Sequence, residues 1–243
     1  MKNLFFLFCF FFVFPFVYAQ EFLPHKLSDE EKILQKTYKF PSEEKVSAFP
    51  TQPVRTMAEW EECQGIIITW TSFTTILRQI VDYAQDEGKV FIVCSDSNAV
   101  KNFLTSGGVP LVNLQFLILP FNSIWCRDYG PWAVYNGNDS LNLVDWIYNR
   151  PRPKDDTVAN GFSRYTNLPM YQTTIAPNNL IATGGNFMVD GHGTGFSSKL
   201  ILNENPTHTE AEIDTIMKNF MGISRYIKMN TLPYDQIHHI DMH

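Results

Sequence analysis

Residues 65–119 read GIIITWTSFTTILRQIVDYAQDEGKVFIVCSDSNAVKNFLTSGGVPLVNLQFLIL. The apolar, β-branched runs at 65–70, 90–94 and 114–119 predict three buried strands. Between them, residues 74–87 carry apolar side chains at helical spacing, and residues 98–106 form a shorter helical pattern that ends on two glycines. This alternation of strand and helix is typical of βαβ units and predicts an α/β fold.

The second half of the chain also mixes strands and helices. An Asn-Gly-Asn-Asp turn at residues 136–139 predicts a hairpin. Residues 209–220 predict an amphipathic helix that is capped by Thr209. The other segments with strand character are, in order, residues 132–135, 140–145, 186–190, 199–202 and 225–229. No segment has the strict period of a solenoid.

The first residues have the pattern of a secretory signal peptide. Lys2 supplies a positive charge, residues 4–17 are apolar, and Val-Tyr-Ala at residues 17–19 is typical of a cleavage site. We therefore predict a signal peptide at 1–19 and a secreted or periplasmic protein. The apolar run is shorter than the roughly 20 residues that span a bilayer, so we expect no stable membrane anchor.

Composition and charge exclude some classes of function. The proline-punctuated residues 20–54 are predicted to be an N-terminal extension, and residues 55–243 the main domain. The formal charge of −6, without a basic stripe, argues against nucleic acid as a partner. Three widely spaced cysteines remain after the signal, an odd number that does not indicate a disulfide framework.

Neither a cofactor nor a metal ion is expected. The glycines at 184–185 and 191–193 lack the lysine and the helix start of a phosphate loop, and tight turns explain them better. His238, His239, Asp241 and His243 could bind zinc in principle, but their spacing matches no common hydrolase pattern.

The run WCRDYGPW at residues 125–132 contains the first candidate site residue. Asp128 is predicted to lie where a strand gives way to a turn. It could grip a guanidinium with two parallel hydrogen bonds, or it could be a turn aspartate that bonds its own backbone or pairs with Arg127. Trp125 and Trp132 favour the first interpretation, because indoles exclude water and stack on planar cations.

Two further motifs supply opposite charges. Arg150 and Arg152 alternate with prolines, which hold each arginine extended and suit the pair to clamping a carboxylate. A solvated basic loop is the alternative. His239 and Asp241 are two residues apart, so in an extended strand both would face one side; a frayed tail is the alternative there.

In chain order, the motifs lie around Asp128, around Arg150 and Arg152, at 184–191 (Gly-Gly-Asn-Phe-Met-Val-Asp-Gly), and around His239 and Asp241. This ordered set resembles the Porphyromonas-type peptidylarginine deiminases, which are secreted relatives of the agmatine deiminases. The resemblance runs from about Arg55 to the last residue. It implies a pentein-type α/β propeller, of which three to four of five blades are expected here. It further implies catalytic roles for Asp128, His239 and Asp241, and substrate-binding roles for Trp125, Arg150 and Arg152.

The implied reaction is hydrolytic deimination of an arginine guanidinium. Two aspartates hold the group, a cysteine thiolate attacks its central carbon, and the histidine moves the protons. In the family this cysteine follows the His-Ile-Asp motif, and the resemblance does not give the role to Cys126. We therefore expect a C-terminally truncated chain that is inactive as written.

Three functions remain open at this stage. The leading hypothesis is deimination of peptidyl-arginine, at C-terminal arginines, to citrulline and ammonia. The alternative is an agmatine deiminase, which performs the same chemistry on an amine without a carboxylate and forms N-carbamoylputrescine for putrescine biosynthesis. A non-catalytic binder of arginine-ended peptides is the alternative from another class.

Overall fold

The computed structural model describes residues 23–40 and 50–243, and the signal peptide predicted at 1–19 lies outside them. In chain order the helices of the described part are α1 (Asp29–Gln35), α2 (Thr74–Glu87), α3 (Ser97–Ser106), α4 (Cys126–Tyr129), α5 (Val158–Thr166), α6 (Leu200–Glu204) and α7 (Glu210–Met221). Within the same residues, no helix is both long and apolar enough for a membrane span.

The strands of this part of the chain are β1 (Val54–Thr56), β2 (Gly65–Thr69), β3 (Lys89–Cys94), β4 (Leu114–Ile118), β5 (Trp132–Asn136), β6 (Leu141–Tyr148), β7 (Met170–Thr173), β8 (Ile181–Ala182), β9 (Met188–Val189), β10 (Thr194–Ser198) and β11 (Arg225–Met229). Short 3-10 turns occupy Asp155–Thr157, Gly184–Asn186 and Ile240–Met242. The fold is α/β with mixed sheets.

The first sheet is parallel, in the order β2-β3-β4. It confirms the βαβ prediction, because α2 and α3 connect its strands. Helix α2 packs Leu77 and Val81 onto the sheet, and α3 packs Val100 and Leu104, so both apolar stripes face one core. Asp96 caps α3 by accepting hydrogen bonds from two backbone N–H groups of its first turn.

The second sheet has the order β1-β5-β6-β7, and β8 pairs with β6 beyond it. The predicted hairpin is confirmed as the antiparallel pair β5 and β6. In the third sheet, β10 pairs parallel with β11 and antiparallel with β9. Helix α7 packs against β1 and β7 of the second sheet. It begins at Thr209, the predicted cap, which forms a capping box with Glu212.

Three local predictions are wrong. Residues 199–202 are not a strand but lead into α6, and the strand is β10 immediately before them. Asp128 does not end a strand, because it lies in the one-turn helix α4. His239 and Asp241 are not in an extended strand, since a 3-10 turn begins at Ile240. The cause is common to all three: each segment is shaped by contacts that are distant in sequence.

Candidate active site

Asp128 is held in place by the residue that follows it. The Tyr129 hydroxyl lies 2.7 Å from the Thr69 hydroxyl at the end of β2 and donates to the Ser123 carbonyl at 2.8 Å. This anchors α4 against the parallel sheet. The buried Asp128 then accepts a hydrogen bond at Oδ1 from the Gly185 N–H, at 3.2 Å. Its partner lies 57 positions along the chain, so this bond is not the local backbone bond of a turn aspartate.

The alternative pairing of Asp128 with Arg127 is not what the structure contains. The Arg127 guanidinium instead bonds the Glu59 carboxylate and lies over the Trp132 ring. Trp132 itself is a core residue, packed against Trp146 and Phe187. The sequence had suggested that Trp132 flanks the Asp128 carboxylate, and its position in the core does not agree with this. Trp125, in contrast, is only half-buried.

The segment with His239 and Asp241 is tied to the third sheet by Asn186. The Asn186 Oδ1 accepts from the Ser198 N–H at 2.8 Å and from the Ile240 N–H at 3.1 Å. His238 adopts the left-handed region with a φ of 59°, which turns the chain immediately before the histidine. His239 is buried, so the alternative of a frayed tail does not hold for it.

Asp128, His239 and Asp241 converge on Gly185. A Cβ atom at this glycine would lie 2.4 Å from His239 Nδ1, 2.8 Å from Asp128 Oδ1 and 3.0 Å from Asp241 Oδ2. The Nδ1 atom of His239 is 3.7 Å from Asp128 Oδ1. The Asp128 carboxylate and the imidazole and carboxylate of the distant His239 and Asp241 therefore surround one point, and only glycine leaves that point free.

The electrostatics of this cluster suit a cation. Although Asp241 is exposed on one side, partial desolvation raises its pKa, and the nearby negative charge of Asp128 raises it further. Burial lowers the pKa of His239, with Arg150 and His25 acting in the same direction and Asp128 opposing them. The histidine is therefore a neutral base near pH 7. A guanidinium between the carboxylates would relieve their mutual repulsion.

Arg150 and Arg152 follow β6, and both are buried, with exposures of 7% and 1%. This contradicts the alternative of a solvated loop. The Arg152 guanidinium already binds a carboxylate of the same chain: Nε donates to Glu31 Oε1 at 2.7 Å and Nη2 to Glu31 Oε2 at 3.0 Å. The pair is thus not free as a joint clamp for a substrate, because Glu31 holds one of its members.

Trp125 also contacts the N-terminal residues. Its Nε1 donates to the Leu23 carbonyl at 2.9 Å, and the His25 ring meets the indole edge-on with centroids 5.7 Å apart. The proposed wall of the site is therefore itself covered by the chain that precedes α1. Nothing in the sequence predicts this contact, because residues 20–54 were interpreted as a separate extension.

Glu204, at the end of α6, is a further acidic group beside these arginines. Its Oε1 accepts from Asn149 Nδ2 at 2.7 Å, while its Oε2 is buried without a hydrogen-bond partner in the described part of the chain. Burial raises the pKa of Glu204 to about 7, against the opposing effects of Asn149 and Arg150. No motif in the sequence pointed to this residue, since a lone glutamate just beyond a predicted strand carries no signal.

The raised pKa of Glu204 predicts a pH-dependent stability. The native state binds the proton more tightly than the unfolded state does, so stability is lost as pH rises from the ordinary value of 4.5 to about 7. Glu204→Gln removes that loss. The free energy of unfolding of the variant should exceed that of the parent at about pH 8, by the order of 1–3 kcal/mol, and approach it at about pH 5.

Denaturant titrations of the full-length protein at both pH values measure this difference. Glu87→Gln, at the exposed end of α2, is the matched control and should follow the parent. The raised pKa of Glu204 would be refuted if the free energy of unfolding of Glu204→Gln changed between the two pH values as much as that of the parent.

The cysteines near the site are not activated. The Cys126 thiol donates to the Ile67 carbonyl at 3.3 Å, and burial raises its pKa to about 11. Burial likewise raises the pKa of Cys94 to about 11. Both thiols are therefore protonated near pH 7 and are poor nucleophiles. Neither is assigned as the attacking group.

A cavity of about 750 Å³ adjoins the site without containing it. Its walls are largely apolar and include Ile67, Phe91, Cys126 and Leu143, whereas Asp128, His239 and Asp241 do not line it. The volume of a cavity therefore does not by itself identify the candidate active site in this protein. Among residues 23–40 and 50–243, no group of three histidine, cysteine or acidic side chains is arranged to hold a metal ion.

Comparison with known proteins gives a consistent set of relatives. A family model described as Porphyromonas-type peptidyl-arginine deiminase matches residues 55–243. A putative agmatine deiminase of Legionella pneumophila is 34% identical over 127 residues, which cover 49% of this chain and 35% of that protein. A putative agmatine deiminase of Shewanella baltica is 29% identical over 196 residues, which cover 70% of this chain and 50% of that protein.

The fold is similar to that of solved structures. The agmatine deiminase of Enterococcus faecalis superposes with a TM-score of 0.68 at 20% identity, covering 82% of this chain and 60% of that one. The chain spans half or less of the length of the two curated relatives.

Proposed function

Since the chain belongs to the Porphyromonas-type peptidyl-arginine deiminase family, we propose that it contributes to hydrolysis of the guanidinium group of agmatine or a closely related amine. The reaction consumes water, replaces one guanidinium nitrogen by oxygen and releases ammonia. The observation that carries this proposal is the convergence of Asp128, His239 and Asp241 on Gly185. That geometry suits a planar cation held at two edges, with a base beside it.

Agmatine is better supported than peptidyl-arginine. The curated relatives described above are named putative agmatine deiminases. Agmatine carries no carboxylate, and the guanidinium of Arg152 is already bound by Glu31. The leading hypothesis from the sequence needed both arginines for a substrate carboxylate, but Glu31 occupies the Nε–Nη2 edge of Arg152.

The proposed mechanism gives each residue one task. Asp128 and Asp241 would hold the guanidinium, whose pKa above about 12 keeps it charged and its carbon reluctant to react. A cysteine thiolate, expected after Asp241 in the family's order, would form a bond to that carbon while ammonia leaves. His239 would accept the thiol proton and pass it to the amino nitrogen, which then leaves as ammonia. It would next take a proton from water as the water oxygen replaces sulfur.

Two wider expectations belong to the same proposal. The mixed sheets would be blades of a pentein-type propeller, three to four of which fall in this chain. Residues 1–19 would direct export, so the reaction would take place outside the cytoplasm. Deletion of residues 1–19 should then retain the protein in the cytoplasmic fraction, and unchanged fractionation would argue against export.

Ammonia release tests the substrate, and it is measured on the natural protein that contains residues 1–243 together with the nucleophilic cysteine expected after Asp241; this protein is called full-length throughout. We expect kcat/KM for agmatine to exceed that for a peptide with a C-terminal arginine by at least about tenfold, or 1.4 kcal/mol. A higher kcat/KM for the peptide would instead favour the hypothesis of a peptidyl-arginine deiminase. Isothermal titration in parallel tests the remaining hypothesis: binding of the peptide without ammonia from either compound would favour a non-catalytic binder.

A further inference from the structure

Residues 23–35, here named the N-terminal strap, lie against the residues proposed to bind substrate. Trp125 Nε1 donates to the Leu23 carbonyl, and Arg152 Nη2 donates to the Pro24 carbonyl at 2.8 Å. At the far end of the strap, Gln35 Nε2 donates to the Asn149 carbonyl at 3.4 Å. The strap therefore lies along the candidate substrate-binding residues from the indole of Trp125 to the residue that follows β6.

The strongest contact of the strap is the fork between Glu31 and Arg152. The two hydrogen bonds, at 2.7 and 3.0 Å, use one whole edge of the guanidinium, and the residues are 8% and 1% exposed. Burial alone would raise the pKa of Glu31, but hydrogen bonds from Arg152 and Ser28 hold it below its ordinary value. The carboxylate is therefore charged at neutral pH, and the ion pair is complete.

Such a fork is the geometry in which an arginine recognises the carboxylate of a ligand. A substrate carboxylate that sought the same two-bond fork on Arg152 would have to expel Glu31 from the Nε–Nη2 edge, because among the described residues only Nη1 of this guanidinium lacks a hydrogen-bond partner. If Glu31 were expelled, its buried negative charge would lose its partner. If Glu31 stayed, two carboxylates would share the guanidinium of Arg152. Either outcome disfavours a ligand that carries a carboxylate, whereas a ligand without one meets no such conflict.

We propose that Glu31 is a specificity-determining residue, which fills the carboxylate-binding edge of Arg152 from within the chain and so restricts the site to guanidines that lack a carboxylate. This inference rests on the proposed function and extends it to the substrate class. It assigns the N-terminal extension a part in the site.

Capping of α1 does not by itself explain the arrangement. Glu31 completes a capping box with Ser28, whose backbone N–H donates to Glu31 Oε2 at 2.9 Å. That box needs no arginine, yet the same carboxylate reaches Arg152 across 121 positions of sequence. The two roles can be separated, because Ser28 caps the helix without touching Arg152.

The test compares three substrates of the full-length protein: agmatine, a peptide ending in arginine, and the C-terminal amide of that peptide. In Glu31→Gln and Glu31→Ala, kcat/KM for the peptide acid should rise at least about tenfold relative to both agmatine and the amide. Ser28→Ala, which weakens the same helix cap, should leave these ratios at the parental values. Ratios within about twofold of the parent in both Glu31 variants would overturn the inference.

A thermal measurement keeps the test valid if Glu31→Ala is destabilised or if turnover fails. The peptide acid should raise the melting temperature of both Glu31 variants more than the amide does, because only the acid supplies Arg152 with a new partner. Equal shifts by acid and amide would overturn the inference. Absence of ammonia from agmatine in the parent would overturn the proposed function instead, so the two failures are distinguishable.

Discussion

Asp128→Asn is expected to lower kcat/KM for agmatine by a factor between about a hundred and a few thousand, the equivalent of roughly 3–5 kcal/mol. Asparagine keeps the shape of the side chain and an oxygen that can accept the Gly185 N–H. It removes the negative charge that would pair with the guanidinium in a site where Asp128 is only 7% exposed. The loss should therefore be electrostatic, with little change in fold.

Steady-state ammonia release measures this effect, and the melting temperature checks that the variant is folded. Asp86→Asn, which removes one exposed carboxylate from α2, is the matched control and should retain parental kinetics. If Asp128→Asn kept its activity within about threefold of the parent, Asp128 would not be a ligand of the guanidinium.

Gly185→Ala is expected to reduce kcat for agmatine by at least about a hundredfold, because a displacement of about 1 Å at a reacting group is enough for such a loss. The added methyl group would lie 2.4 Å from His239 Nδ1 and 2.8 Å from Asp128 Oδ1. Neither distance is possible between non-bonded atoms. The imidazole and the carboxylates must therefore move apart, and the space proposed for the guanidinium is lost.

The same assay and a melting curve separate this effect from unfolding. Gly107→Ala offers a matched control, since its methyl group would meet only the flexible Arg78 side chain at the protein surface. Parental turnover in a folded Gly185→Ala would mean that the three groups do not act around this glycine.

Much of the fold could be predicted from local sequence. Helix α2 matches its predicted bounds, Thr74–Glu87, because apolar spacing and Gly88 agree there. Helix α7 begins where Thr209 and Glu212 form a capping box. The hairpin β5-β6 follows from its turn. In each case the signal lies within a few residues of the element that it predicts.

The site was predictable only in part, because its geometry depends on distant contacts. The motifs drew attention to Asp128, His239 and Asp241, but not to the role of Gly185, which was interpreted as a turn glycine. The pairing of Glu31 with Arg152 was equally hidden, since nothing near Glu31 indicates a buried arginine so far along the chain. Charge and spacing indicate which groups are available; packing decides which of them meet.

Asp128 and Asp241 are proposed to hold a guanidinium together, beside His239. A crystal structure of the full-length protein with bound agmatine would resolve this geometry. We predict guanidinium nitrogens within about 3 Å of both carboxylates, with the planar group next to Gly185 and the amine end directed toward Trp125 and the N-terminal strap. Agmatine bound elsewhere, or carboxylates of Asp128 and Asp241 that face separate spaces, would refute the proposed roles of both residues.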